Sequence, residues 1–179
     1  MVLLACILLI RLGATPIYIL DEAKNAQCAR EMMHRNDWIV PTFNGELRTD
    51  KPALHYFFMI ASYKIFGETE FAARFFSVIM GLLTVIVTFF YTKRHVNAFT
   101  AFCSALVLAC STHFLFEFRL SVPDPYLIFF ITVGLFSGFT WLQEKRVSQL
   151  YIAVAALGFA TLAKGPVAIA LPGLCLLIW

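Results

Sequence analysis

Apolar residues dominate the chain from Phe71 onward, whereas residues 21–51, DEAKNAQCAREMMHRNDWIVPTFNGELRTDK, are polar almost throughout. Each unpaired charge in hydrocarbon costs several kcal/mol, so this stretch lies outside a bilayer or lines a wet cavity. Four apolar segments follow, at about 71–91, 98–116, 126–142 and 150–179, the last interrupted by Lys164-Gly165-Pro166. A spanning helix needs roughly 20 residues. Residues 1–12 are apolar but for Arg11 and stop at the breaker Gly13-Ala14-Thr15-Pro16, which is short for a first span, and the last apolar run is still open at Trp179. The expectation is an amino-terminal fragment of a larger membrane module.

Inside the polar stretch, Ala23, Ala26, Ala29, Met32 and Met33 recur near helical spacing. They predict a short amphipathic helix over 22–35 on the membrane surface, with Asp21 at its N-terminus and Trp38 as an interfacial anchor. Asn44-Gly45 between two short apolar runs predicts a tight hairpin. Pro52 opens a second, half-immersed helix running to about Phe66, which Gly67 terminates.

The chain is 60% hydrophobic and 14% charged, against about 25% charged residues in a soluble domain. This makes it an integral membrane protein. The net charge of +3 matters less than its placement: residues 21–74 hold seven basic and eight acidic side chains, while the short connections Lys93-Arg94-His95 and Lys145-Arg146 are basic. Short basic loops mark the cytoplasmic side, which puts the polar stretch on the extracytoplasmic face. Counting spans from a cytoplasmic N-terminus gives the same sides, with 117–124 outside and 144–146 inside. Lys164-Gly165-Pro166 reads as the outer tip of a helical hairpin in preference to a kink in one tilted span. Residues 21–51, 117–124 and Lys164 then share one face. No basic stripe accompanies exposed aromatics, so nucleic acid is excluded as a partner. The five cysteines are scattered without CxxC spacing, so neither a disulfide framework nor a zinc ribbon follows.

The ordered set Asp21-Glu22, Ala23, Ala26, Asp37-Trp38, Pro41, Asn44-Gly45, Asp50-Lys51-Pro52, GETEFAAR at 67–74 and Leu162-Ala163-Lys164-Gly165-Pro166 resembles the polyprenyl-phosphate-sugar-dependent glycosyltransferases. These are the GT-C membrane enzymes grouped with protein O-mannosyltransferases and lipid A aminoarabinose transferases. The resemblance covers nearly the whole chain. It implies an all-α integral membrane fold, a multi-span bundle of roughly a dozen helices. Residues 1–20 would be the first span and exit, 21–70 the extracytoplasmic active-site loop with its amphipathic surface helices, and 71–179 further transmembrane helices. It also implies a bacterial inner (plasma) membrane, a donor sugar on undecaprenyl or dolichyl phosphate, and a lipid A, glycan or protein acceptor. By the same match Asp21 is the first-loop carboxylate, with Glu22 beside it. Asp124 is the Asp after the third span, Lys51 binds the lipid phosphate, and Lys24 stands where Arg is frequent. Asp50 occupies a position held by Glu near a metal in the aminoarabinose transferases, which leaves a divalent cation open as a cofactor. Lys164 is carried as a further substrate-binding candidate.

These residue types suit the chemistry. Breaking a sugar–phosphate bond builds positive charge on the anomeric carbon and negative charge on the leaving phosphate. Lys51, with Lys24 or Arg48, supplies fixed cations for the phosphate oxygens, and Asp21 orients or deprotonates an acceptor hydroxyl. A phosphate acceptor needs no base. Competing roles are helix capping for Asp21 and Asp124, snorkelling for Lys51, carbonyl capping for Lys164, an interfacial hydrogen-bonding role for His55, and a loop pair of Glu117 with Arg119. Two other function classes compete: a transporter or flippase for an anionic lipid, and a noncatalytic scaffold. Transporters place essential charges near the midplane, whereas charges here gather in the outer loop, which favours the enzyme.

Overall fold

The computed structural model describes residues 2–17 and 20–178. Its elements are α1 (Val2–Leu9), α2 (Leu20–Arg35), β1 (Thr42–Phe43), β2 (Glu46–Leu47), α3 (Leu54–Phe66), α4 (Glu70–His95), α5 (Ala98–Cys110), α6 (Thr112–Glu117), α7 (Asp124–Glu144), α8 (Val147–Lys164) and α9 (Val167–Ile178). Helices α4, α7 and α8 are long and apolar enough to cross a membrane, and this chain leaves most of each apolar window uncovered. The protein is an all-α membrane protein. The expected first span over 1–20 falls partly on residues outside the description, and α1 has 8 residues.

Local chemistry sets the helix ends. Thr69 caps α4 by accepting from the Ala72 amide at 3.2 Å, Glu70 follows in the first turn, and Lys93, Arg94 and His95 fill the last, matching the helix dipole. Asn97 caps α5 at 2.8 Å from the Thr100 amide. The expected continuous span over 98–116 is instead divided, because Ser111 takes extended backbone (ψ 125°) between α5 and α6. Ser and Thr compete with helix bonding through their own side chains, and Ser111-Thr112 sits at the break.

Small residues let the spans approach. A Cβ on Gly134 of α7 would lie 2.8 Å from Leu157 of α8, whose buried stripe is Ala153, Ala156, Ala160 and Ala163. Gly81 of α4 likewise admits the Phe118 ring, which a Cβ would meet at 2.8 Å. Phe118 belongs to the main core with Leu8, Leu12, Val78 and Tyr126, and a second core under α2 joins Cys28, Ala29 and Met32 to Tyr56, Met59, Ile60 and Ala72.

The buried face of α2 differs from the expected stripe. Glu22, Asn25, Cys28, Ala29 and Met32 point inward, one position away from Ala23 and Ala26. Two arginines waiting beneath the first turns make this polar register the favourable one. The hairpin forms as expected: Asn44 (φ 53°) and Gly45 (φ 81°) both adopt left-handed backbone, as a two-residue turn of this type requires. Glu31 reaches into it, accepting from Thr42 Oγ1 at 2.6 Å and from the Asn44 and Gly45 amides at 2.8 and 3.3 Å. Partial burial works against ionisation, yet the bonds from Thr42, Gln27, Gly45 and Asn44 together bring the Glu31 carboxyl down to about 2.

The bundle has two chemically distinct ends. Arg94 Nη2 bonds both Glu144 oxygens at 2.5 and 2.7 Å, gathering the basic turns after α4 and α7. At the opposite end Lys164 meets Asp124, so the Lys164-Gly165-Pro166 junction lies with the polar stretch.

Candidate active site

Asp21 lies in the first turn of α2, where the helix dipole favours an anion. It does not take the N-cap position expected from sequence, since Leu20 already opens the helix. Lys51 is brought to it by the hairpin. After β2, the Arg48 amide donates to the Pro41 carbonyl at 2.9 Å, and Arg48 Nη1 bonds Asn25 Oδ1 at 3.2 Å and Cys28 Sγ at 3.4 Å. The returning strand is thereby pinned to α2. Three residues later Lys51 Nζ stands 3.6 Å from Asp21 Oδ2, with the carboxylate 58% exposed and the lysine 21%. The pair is accessible, and its separation leaves both groups free to bond a ligand.

Glu22, expected beside Asp21 as a catalytic carboxylate, is placed differently. Its side chain is 0% exposed, and its two oxygens accept from Arg74 Nε and Nη2, each at 2.8 Å. Oε1 also accepts from the Ser121 amide at 3.0 Å. Arg74 further donates to the Leu12 and Thr15 carbonyls at 2.9 and 2.8 Å. A carboxylate so enclosed is fully engaged by Arg74 and the Ser121 amide. With Asn25 Nδ2 bonding the Ser121 carbonyl at 3.2 Å, it ties the start of α2 to the loop before α7.

That loop delivers Asp124. Pro123 occupies the cap position and makes no side-chain cap bond, so Asp124 is the first helical residue, and its carboxylate pairs with Lys164. Neither residue is spent on capping in the way its competing role required. Glu117 lies nearby: burial, with Asp124 beside it, holds its carboxyl above the usual range. Arg119 turns away to the Ile10 carbonyl at 2.7 Å, so the two do not form the loop pair considered from sequence.

Lys24 and Asp50 line a cavity of about 380 Å³ with Phe43, Glu46, Leu47, Arg48 and Thr49. Asp50 Oδ1 accepts from Arg48 Nε at 2.8 Å. For a divalent cation the fit is poor: Asp50 is engaged by an arginine, and no three His, Cys, Asp or Glu side chains gather among the described residues. His55, expected at the interface, is fully buried against Tyr56, ring centroids 3.9 Å apart, and burial pushes its imidazole down to about 3.

Sequence reasoning assigned no role to Arg74, Asn25 or Ser121. The signal for Arg74 was available: it is a lone cation one turn inside an apolar span, a position that demands a partner. Asn25 and Ser121 carried no such signal, because their bond depends on how two distant segments meet.

The family of dolichyl-phosphate-mannose-protein mannosyltransferases matches residues 50–179. The chain belongs to this family. Among curated relatives, an uncharacterised protein of Aquifex aeolicus is 32% identical over 162 residues, covering 90% of this chain and 32% of the relative. An undecaprenyl phosphate-alpha-4-amino-4-deoxy-L-arabinose arabinosyl transferase of Yersinia enterocolitica is 29% identical over 173 residues, covering 94% of this chain and 31% of the relative. Among solved structures, ArnT of Cupriavidus metallidurans bound to undecaprenyl phosphate superposes with TM-score 0.92 at 25% identity, over 99% of this chain and 34% of that one. The family fold is thus present, and the chain spans about a third of the length of these relatives.

Proposed function

We propose that this family member takes part in transferring a sugar from a polyprenyl-phosphate donor to an extracytoplasmic acceptor. The observation that carries the reading is the 3.6 Å approach of the accessible Asp21 carboxylate to the Lys51 ammonium, which lies just after the hairpin. The likeness to an ArnT bound to undecaprenyl phosphate supports the donor class. Lys51 binds the donor phosphate, with Lys24 beside the adjoining cavity as a second cation. The acceptor oxygen attacks the anomeric carbon from the face opposite the phosphate. The carbon–oxygen bond to phosphate breaks, its electron pair leaves with polyprenyl phosphate, and the anomeric centre inverts. Where the acceptor is a hydroxyl, its proton passes to Asp21. Where it is a phosphate, Asp21 positions and polarises.

In this reading Asp124 and Lys164 form the far wall of the same site, linked to Asp21 through the Ser121–Glu22 bond, and Glu22 acts as a positioning residue. The site faces away from the cytoplasm, because Lys93, Arg94, Lys145 and Arg146 lie at the other end of the bundle. The membrane is a bacterial inner membrane, and the acceptor is lipid A, a glycan or a protein.

The test is incubation of membranes containing the protein with radiolabelled undecaprenyl-phosphate sugars. Label moving into lipid A, glycan or protein with release of undecaprenyl phosphate is the expected result. Movement of intact labelled donor between leaflets without transfer would overturn it in favour of a flippase.

A further inference from the structure

Opposite the proposed site, the end of α4 and the α7–α8 turn carry Lys93, Arg94, Lys145 and Arg146, with Glu144 the one carboxylate paired to any of them among the described residues. Arg94 holds both Glu144 oxygens, and Arg146 Nε lies 3.1 Å from Glu144 Oε2. Four permanent cations against one anion leave three positive charges uncompensated, and all four cationic side chains are exposed. The same helix ends also carry exposed apolar residues: Phe90, Val96, Phe99, Val147 and Tyr151. The Lys145 ammonium sits 5.4 Å from the centroid of the Trp141 ring, an aromatic suited to the headgroup level. The carboxylate does not neutralise the patch; it fixes an arginine of α4 and an arginine of the α7–α8 turn in one place.

We propose that this cluster is a binding site for the phosphate groups of anionic phospholipids. The partner follows from the surroundings. The helices bearing the cluster are long and apolar enough to cross a membrane, so headgroups lie at their ends and acyl chains lie along the exposed apolar residues beside them. A soluble acidic protein or nucleic acid would use the charges and leave that apolar rim without a role. A cation near an anionic lipid surface contributes about fivefold in affinity. The site is independent of the proposed transfer reaction.

The protein in detergent micelles doped with equal dioleoylphosphatidylglycerol and dioleoylphosphatidylcholine, with retained lipids counted by native mass spectrometry, tests it. The expected result is a preference of about tenfold or more for phosphatidylglycerol. It should fall below about twofold in K93Q/K145Q/R146Q, which leaves the Arg94–Glu144 bond intact, and persist in the charge-keeping K93R/K145R/R146K. In the unmodified protein it should weaken as salt rises from about 0.05 to 0.5 M. No preference in the unmodified protein, a preference insensitive to salt, or one that survives the triple neutralisation overturns the proposal.

Discussion

Asp21 and Lys51 are worth little to each other as an ion pair. Exposed pairs contribute about 0.2–1 kcal/mol, so Asp21→Asn should leave the melting temperature within about 4 °C of the parent. Its effect should fall on transfer instead, with a loss of about 10²- to 10⁴-fold for a hydroxyl acceptor and a much smaller one for a phosphate acceptor. Donor turnover with each acceptor class measures this. Glu22 and Arg74 are the reverse case. Both are buried, at 0% and 4% side-chain exposure, and removing one partner strands the other charge, at a cost of about 3–5 kcal/mol. Glu22→Ala should therefore lower thermal stability sharply in detergent, and comparison with Asp21→Asn separates positioning from chemistry at adjacent positions of one helix.

Glu31 gathers the turn of the hairpin, and Gly81 admits the ring that anchors the loop before α7. The folded-state carboxyl of Glu31 titrates at about 2 against an ordinary 4.5, so the unfolded segment takes up the proton first. Its stabilisation is complete above about pH 4.5 and is lost as pH falls toward about 2. Amide hydrogen exchange at Asn44 and Gly45 should accelerate over that window, and Glu31→Gln should remove the dependence. At Gly81, a larger side chain meets the Phe118 ring and displaces the loop carrying Ser121. Gly81→Leu should cost about 1–3 kcal/mol as overpacking and lower transfer with it. These elements were unequally legible. Asn44-Gly45 and Gly67 announce their turns by type, because few residues tolerate positive φ. The inward face of α2 was legible in its second half, where Ala29 and Met32 are buried as expected, and misplaced by one position at Ala23 and Ala26, because the first turns bury Glu22 and Asn25 against arginines from other elements.

For the whole molecule, apolar run lengths and the sides of the basic turns foretold the bundle and its two ends, since hydrocarbon thickness and charge cost act on sequence directly. Which polar groups meet at the site end was not legible from spacing. The Asp21–Lys51 approach spans the hairpin, and Asp124–Lys164 depends on α7 and α8 lying antiparallel. In the proposed reaction Asp21 and Lys51 act in one site on one donor. The direct measurement is release of undecaprenyl phosphate from a labelled donor by the parent, Asp21→Asn, Lys51→Ala and the double variant in the same membranes. Residues working as a unit are strongly non-additive, so both single variants should lose most of the release and the double should be no worse than the poorer single. Either single variant retaining the parent rate, or losses that multiply as independent effects, would contradict the account.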